Sequence, residues 1–416
     1  PAGVTITNNG TAAGFGATGA ASWDTTVKTG DFTAVSGVGY FVNTTAGIIT
    51  VTLPASPSAG DVVAVSDYAG TADTNNITIG RNGSNINGAA ADLTVAQENS
   101  AVTLVYVDST QGWKATDTSN LNDIVSQPSY IAAIGGTITE CGNFKIHTFT
   151  GPGTFCVSTV GNPAGGPSDV DYLVVAGGGG GGAYGGGGAG AGGYRESPGA
   201  ASGCYSVSPL GASPATAITI TAQGYSIVVG AGGTGHPVAN TNGGVSSGLG
   251  IESAGGGFGG TDDGNLGQNG GSAGGGGRRT NGGTGNTPPV SPAQGTNGGN
   301  GVGSHPGPGS GGGGGGAIVA GSTGGPVGGN GGNGATSSIN GSAVARAGGG
   351  GGASGNPGGG SGGTGGGGSG GQQNNTGPGV SGTVNTGGGG GGASDDSSPV
   401  GQGGSGIVII RYKFQN

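Results

Sequence analysis

The chain has 416 residues, of which 116 are glycine, 31% are hydrophobic and only 7% are charged. Globular proteins carry about 45–50% and about 25% of those two classes, so much of this chain has too little apolar side chain for a conventional core. The net charge of −9 argues against nucleic acid as a partner, and no apolar run approaches the ~18 residues that insert in a membrane.

In chain order, residues 1–36 read as an extended connector: Val4, Thr5, Ile6 and Thr7, then Gly/Ala/Thr-rich sequence, then Trp23 and Phe32. With no methionine in the sequence, Pro1 is expected to follow a missing start. Residues 37–120 have an all-β pattern, with strands predicted at 40–43, 48–53, 62–66, 76–79, 93–95, 102–107 and 112–115. Turn signals such as Ala46-Gly47, Asn82-Gly83 and Asn87-Gly88 separate them. Short strands at this spacing predict a small sandwich or barrel, with Trp113 and Tyr106 in its core or at an inter-subunit contact. Residues 121–176 predict a second β unit, with a hinge or one helical turn at 121–127 and strands near 137–140, 143–150, 153–160 and 172–176. Cys141 and Cys156 are placed either across a hairpin as a disulfide or as buried free thiols, and Cys204 is left over.

Glycine dominates from 177 to 416. In 327–336 the residues Val327, Asn330, Asn333 and Thr336 fall at every third position, and the same x-Gly-Gly-x step recurs from Ala191 to Ser405. Helices repeat every 3.6 residues and strands every 2, whereas a polyproline-II-type helix has three residues per turn and rises ~3.1 Å per residue. The expected body is therefore a bundle of polyglycine-II helices within one chain. Lateral N–H···O=C bonds would join them, with Cα–H···O contacts as a weaker addition. A flexible glycine linker is the competing reading. Against it stand the β-rich flanks at 218–229 and 407–414 and the scarcity of charge. The runs 177–182, 311–316, 348–352 and 387–392 are expected rods, and 194–214, 236–241, 262–268, 278–294 and 302–308 expected loops. Segments 172–176, 218–220, 226–229 and 407–414 are expected to form one sheet that clamps the bundle. The fold class is thus all-β, with a polyglycine-II bundle inserted in a β-sheet framework and essentially no α-helix.

Two stretches carry a resemblance. Tyr40-Phe41-Val42-Asn43-Thr44-Thr45, Ile77-Thr78-Ile79-Gly80-Arg81-Asn82-Gly83 and Thr103-Leu104-Val105-Tyr106-Val107-Asp108 resemble a β module of tail-fibre and virion structural proteins of marine tailed phages, cyanophages included. Ile146-His147-Thr148-Phe149-Thr150-Gly151-Pro152-Gly153, Tyr172-Leu173-Val174-Val175-Ala176 and the closing Gly406-Ile407-Val408-Ile409-Ile410-Arg411-Tyr412 are similar to the two ends of the glycine-rich domain of phage structural proteins. The resemblance implies a non-enzymatic protein of the virion surface, a tail-fibre or fibre-tip adhesin. Its implied partners are a host surface glycan or outer-membrane component and other virion proteins, with a trimer the favoured homo-oligomer. The alternatives are a capsid-decorating virion protein and a secreted ice-binding or extracellular filament protein.

No catalytic constellation is legible. The Gly-x-Gly-x-x-Gly strings lie next to no amphipathic helix, and His147, His236 and His305 are too dispersed for a metal site, so neither cofactor nor metal is expected. Asp262-Asp263 and Asp395-Asp396 read as exposed acidic turns. Arg278-Arg279 is the sole adjacent basic pair in an acidic chain. With Asn281 and Asn286 it makes 278–294 the candidate receptor-binding loop. His236 and His305 lie in loops of the same character, and Tyr194 and Tyr205 are candidates for stacking on sugars.

Overall fold

The computed structural model describes residues 21–416 apart from 119–123, 127, 163–164, 204, 212–215, 263, 304–308, 356–357 and 373–376. Among the described residues helix is confined to one 3-10 turn, Pro209–Gly211, and the rest is strand, turn and polyglycine rod. The chain divides into two compact units.

The first unit extends to Ser129 and takes in Asn162–Gly165. Its strands are β1 (Ser22–Lys28), β2 (Phe32–Thr33), β3 (Val38–Val42), β4 (Ile49–Thr52), β5 (Val62–Asp67), β6 (Ile77–Gly80), β7 (Leu93–Val95), β8 (Ala101–Asp108), β9 (Gly112–Thr118) and β10 (Ile124–Ser126). They form two five-stranded sheets in the orders β1-β3-β5-β8-β9 and β10-β7-β6-β4-β2. Up to β6 the chain alternates between the sheets, so β1, β3 and β5 stack in parallel in one while β2, β4 and β6 do so in the other. Ile49 and Val51 are buried while Thr50 and Thr52 are not, and Ile77 and Ile79 repeat that alternation one strand on. The inward residues of both sheets make one cluster, including Leu53, Val63, Leu104 and a fully buried Trp113. Of the expected connector 1–36, residues 1–20 lie outside the described residues, and the rest supplies β1 and β2 to this sandwich: Ser22, Trp23 and Asp24 lie in register with Val38, Gly39 and Tyr40.

The second unit comprises Tyr130–Gly161 and Gly166–Asn416. It opens with β11 (Ala132–Ile134), β12 (Thr137–Cys141), β13 (Phe144–Phe149), β14 (Gly153–Thr159) and β15 (Asp169–Val175). Later come β16 (Tyr194–Glu196), β17 (Ile218–Thr219), β18 (Gly224–Ile227) and, at the end, the C-terminal strand Ile407–Lys413. The last strand returns to lie between β13 and β15, in a sheet ordered β12, β13, C-terminal strand, β15, β16, with β17 also paired to β15. Being central, it is buried on both faces. Val408, Ile410 and Tyr412 pack with Phe155 and Tyr172 on one side, and Ile407 and Ile409 with Ile146, Leu173 and Val175 on the other. The expected single sheet is thus two: β18 does not join β15 but pairs with β14, in a three-stranded sheet β11-β14-β18. Phe155, Val157 and Ile227 of that sheet fill the same core as Val408 and Ile410. Cys141 and Cys156 fall in different sheets, where both are free and exposed, so they form neither the disulfide nor the buried thiols expected of them. Cys204 lies outside the described residues.

From residue 177 the chain runs back and forth as polyglycine-II rods, and the hydrogen bonds repeat every three residues. The amides of Gly177 and Gly180 donate to Gly244 and Thr241, those of Gly178 and Gly181 to Gly404 and Gly401, and those of Gly179 and Gly182 to Gly190 and Gly187. Three further rods donate back, through Gly256 and Gly259, Gly233, and Gly390 and Ala393. Rod 177–182 is therefore bonded on all sides, and so are 311–316 and 348–352. These pure glycine runs are buried throughout because every face meets another backbone: a Cβ on Gly179 or Gly181 would fall inside contact distance of the Gly257 or Gly391 carbonyl. Outer rods keep a side chain at every third residue, and Asn330, Asn333 and Thr336 are all exposed. Each outer rod bonds to the next around the bundle. The circuit closes where Gly403 and Gly406 of the last rod donate to Gly233 and Gly230 of an early one. Among the described residues the circuit of outer rods therefore has no open end, as in a closed barrel.

Candidate functional site at the bundle tip

The rod directions separate two ends. Residues 177–182 lead away from β15, and 186–192 return to β16. Each later pair of rods repeats this path. Its turns therefore fall at a tip, formed by 183–185, 236–240, 261–262, 264–266, 278–280, 301–303, 325–327 and 394–399, or at the sheet end. The sheet-end connections include the hairpin of Ala335–Ser337 with Val344–Arg346.

At the tip Arg278, Arg279 and Asp262 form one cluster. Asp262 is 1% exposed. Its Oδ2 accepts from Arg278 Nη2 and its Oδ1 from Arg279 Nε, each at 2.7 Å, while Arg279 Nη2 donates to the Asp262 carbonyl at 2.8 Å. Burial pushes the Asp262 carboxyl up, but the bonds from Arg278 and Arg279 outweigh it and hold the group below its ordinary value. The expected exposed acidic turn is therefore a buried counter-ion for the basic pair, and Asp263 lies outside the described residues. The Arg278 amide donates to the Gly185 carbonyl at 3.0 Å, and the Gly185 amide to the Ser394 carbonyl at 3.0 Å, which ties three loops together. Beside the cluster lies an open cleft of about 550 Å³ lined by Asp262, Gly264, Arg279 and Thr280. Val238, Leu266, Val302 and Val327 are exposed on the surrounding loops, and Tyr184 shows 36% of its surface at φ +60°.

The structure breaks up the expected 278–294 loop. Residues 281–285 form a rod, shown by the Gly283 amide on Gly274 and the Gly298 amide on Gly283. Arg278 and Arg279 thus stay at the tip, while Asn286 is carried to the sheet end. There its Oδ1 accepts the amides of Val290 and Gln294 at 3.1 and 3.2 Å, which makes it the organiser of a turn. Asn281 is exposed at the start of the rod, and its carbonyl accepts the Gly267 amide. His236 is at the tip, its Nε2 3.7 Å from Asp396 Oδ1 and its amide bonded to Asn240 Oδ1. His305 lies outside the described residues.

Tyr194 and Tyr205 are not tip residues. Tyr194 is 1% exposed in β16, and its hydroxyl donates to Glu196 at 3.0 Å. Burial, then the nearby Glu196 charge, hold that phenol far above its usual range; burial likewise raises the Glu196 carboxyl. Tyr205 is half-buried under the Arg411 guanidinium, 5.5 Å from the ring centre. Tyr194 belongs to the apolar cluster of Leu173 and Ile409, and Tyr205 packs against it, which removes Tyr194 from any surface role. The residue that sequence reasoning missed as a partner is Asp262. It stands 16 and 17 positions from Arg278 and Arg279, a separation set by intervening rods rather than by any motif.

Residues 148–413 match the family described as a glycine-rich domain. No curated protein matches the chain.

Proposed function

The chain belongs to the glycine-rich domain family, and we propose that this member is a non-enzymatic adhesin of a tail fibre or fibre tip that attaches to a host cell surface through its tip loops. The observation that supports this reading most is segregation. The chain enters and leaves the glycine body at its sheet end, whereas the Arg278–Arg279–Asp262 cluster, His236, Tyr184 and the exposed valines are gathered on loops at the other. A body held by backbone groups lets those loops differ in sequence with little effect on the rods. The resemblance of 40–45, 77–83 and 103–108 to phage fibre modules supports the same assignment, as does the similarity of the domain's two ends to phage structural proteins. In this reading the partners are a surface glycan or outer-membrane component and other virion proteins, on a trimeric fibre at the virion surface.

Gold-labelled antibody against the chain, applied to intact tailed particles that carry it, tests the assignment. Label at the ends of tail fibres is expected. Label spread over the capsid would replace the adhesin with a decorating protein, and particles without label would remove the virion assignment altogether.

A further inference from the structure

We propose that the cleft beside Arg279 binds an anionic group carried on a saccharide, a carboxylate or a phosphate, with Arg279 as the residue that grips it. This rests on the host-surface reading above and names the chemistry of the ligand. At about 550 Å³ the cleft is within the ~300–1,000 Å³ of small-ligand sites. Arg279 spends Nε on Asp262 Oδ1 and Nη2 on the Asp262 carbonyl, while its Nη1 makes no hydrogen bond among the described residues. The side chain is nevertheless 42% exposed, so that nitrogen is within reach of a ligand.

The two bonds to Asp262 fix the guanidinium before any ligand arrives, so little side-chain entropy remains to be lost on binding. The groups that face the cleft suit an anion better than a neutral sugar, because Arg279 offers a donor and Asp262 no acceptor. Asp262 is buried and both its oxygens are taken, so it offers the cleft no free acceptor. Thr280 Oγ1 is directed at the Asn265 and Gly277 carbonyls, at 3.2 and 3.3 Å, so it lines the cleft without competing for an anion. Planar guanidinium donors suit the planar oxygens of a uronate and the tetrahedral oxygens of a sugar phosphate, and the probes below tell the two apart.

The full-length chain is titrated calorimetrically with trigalacturonate, galactose 6-phosphate and neutral galactotriose. One of the anionic probes is expected to bind and galactotriose not to. Arg279→Ala is expected to weaken that binding roughly three- to tenfold and Arg279→Lys to restore part of it; Asp262 keeps Arg278 but loses the partners of its Oδ1 and carbonyl, so Arg279→Ala should melt several degrees lower and both variants are titrated well below their melting temperatures. Binding of neither anionic probe, equal binding of galactotriose, or parent-like affinity in Arg279→Ala would each overturn the proposal. Adsorption to host cells separates this failure from that of the adhesin reading. Equal adsorption by parent and Arg279→Ala removes only the cleft, whereas a parent that does not adsorb removes the adhesin.

Discussion

Asn330 Oδ1 accepts the backbone amide of Ser361, a residue of the neighbouring outer rod, at 2.9 Å. One turn further on, Asn333 Oδ1 does the same for Thr364 at 3.1 Å. Asn242 with Phe258, Asn269 with Thr284, Asn297 with Gly285 and Asn300 with Gly282 repeat the contact around the bundle. The asparagines of the x-Gly-Gly-x steps are therefore struts. Each satisfies an amide that an all-glycine outer rod would leave to solvent. Replacing Asn330 or Asn333 by Ala should cost about 0.5–1.5 kcal/mol each, since water can take over part of the lost bond. Denaturant titration measures this, and parent-like midpoints would show the struts to be idle.

Glycines in the interior and at the periphery should respond very differently to one methyl group. A Cβ at Gly181 would overlap the Gly391 carbonyl, whereas one at Gly325 meets nothing within 4 Å. Gly181→Ala must push two backbones apart, which should cost at least about 3 kcal/mol; Gly325→Ala should melt within a degree or two of the parent. Similar melting of the two variants would contradict the packing.

Removal of the C-terminal strand should unfold the glycine body. Ile407–Lys413 is the strand that joins β13 to β15, and Val408, Ile409, Ile410 and Tyr412 are each no more than 1% exposed. Each large apolar side chain stabilises by about 1.5–3 kcal/mol when fully buried, and the rods have few such residues of their own. A chain ending at Gly406 should be digested rapidly across 177–406 under limited proteolysis. Parent-like resistance would mean that the bundle stands without its clamp.

His147 sets a pH dependence of stability. It is fully buried, with Nδ1 2.7 Å from the Gly135 carbonyl and Nε2 2.9 Å from the Tyr412 hydroxyl. The geometry calls for a neutral ring that donates from Nδ1 and accepts at Nε2. Burial lowers its pKa below the ordinary 6.5, more than the Gly135 bond raises it. The unfolded chain then takes up the proton first, so this contribution to stability is complete above about pH 6.5 and is lost as the pH falls below it. His147→Gln should be less stable at pH 7.5 and should show a shallower loss on the acid side. An unchanged acid slope in the variant would show that other groups set it.

The period of Val327, Asn330, Asn333 and Thr336 carried the rod conformation into the sequence because each turn of such a rod has three residues. It also marked which rods lie outside, since a side chain survives only on a face without a neighbour. The runs 177–182 and 311–316 are interior for the converse reason. Trp113 at the core of the first sandwich and the C-terminal strand beside 169–175 were equally legible from apolar patterning. The stacking of β1 on β3 and β5 was not, because parallel register leaves no local turn signal. Nor was the pairing of Arg278 and Arg279 with Asp262, which depends on two loops meeting at the tip. Asn286 was misassigned because the short rod 281–285, with Asn281, Thr284 and their glycines, has the composition of a loop.

Tip-first attachment is tested most directly by blocking one end of the body at a time. Particles carrying the chain are saturated with antibody fragments raised against the tip turn 278–280, or against the sheet-end hairpin of Ala335–Ser337 and Val344–Arg346, and their adsorption to host cells is counted. Tip-directed fragments should abolish adsorption while hairpin-directed fragments leave most of it. Adsorption that survives a fully occupied tip, or that is lost only when the hairpin is covered, would contradict attachment through the tip.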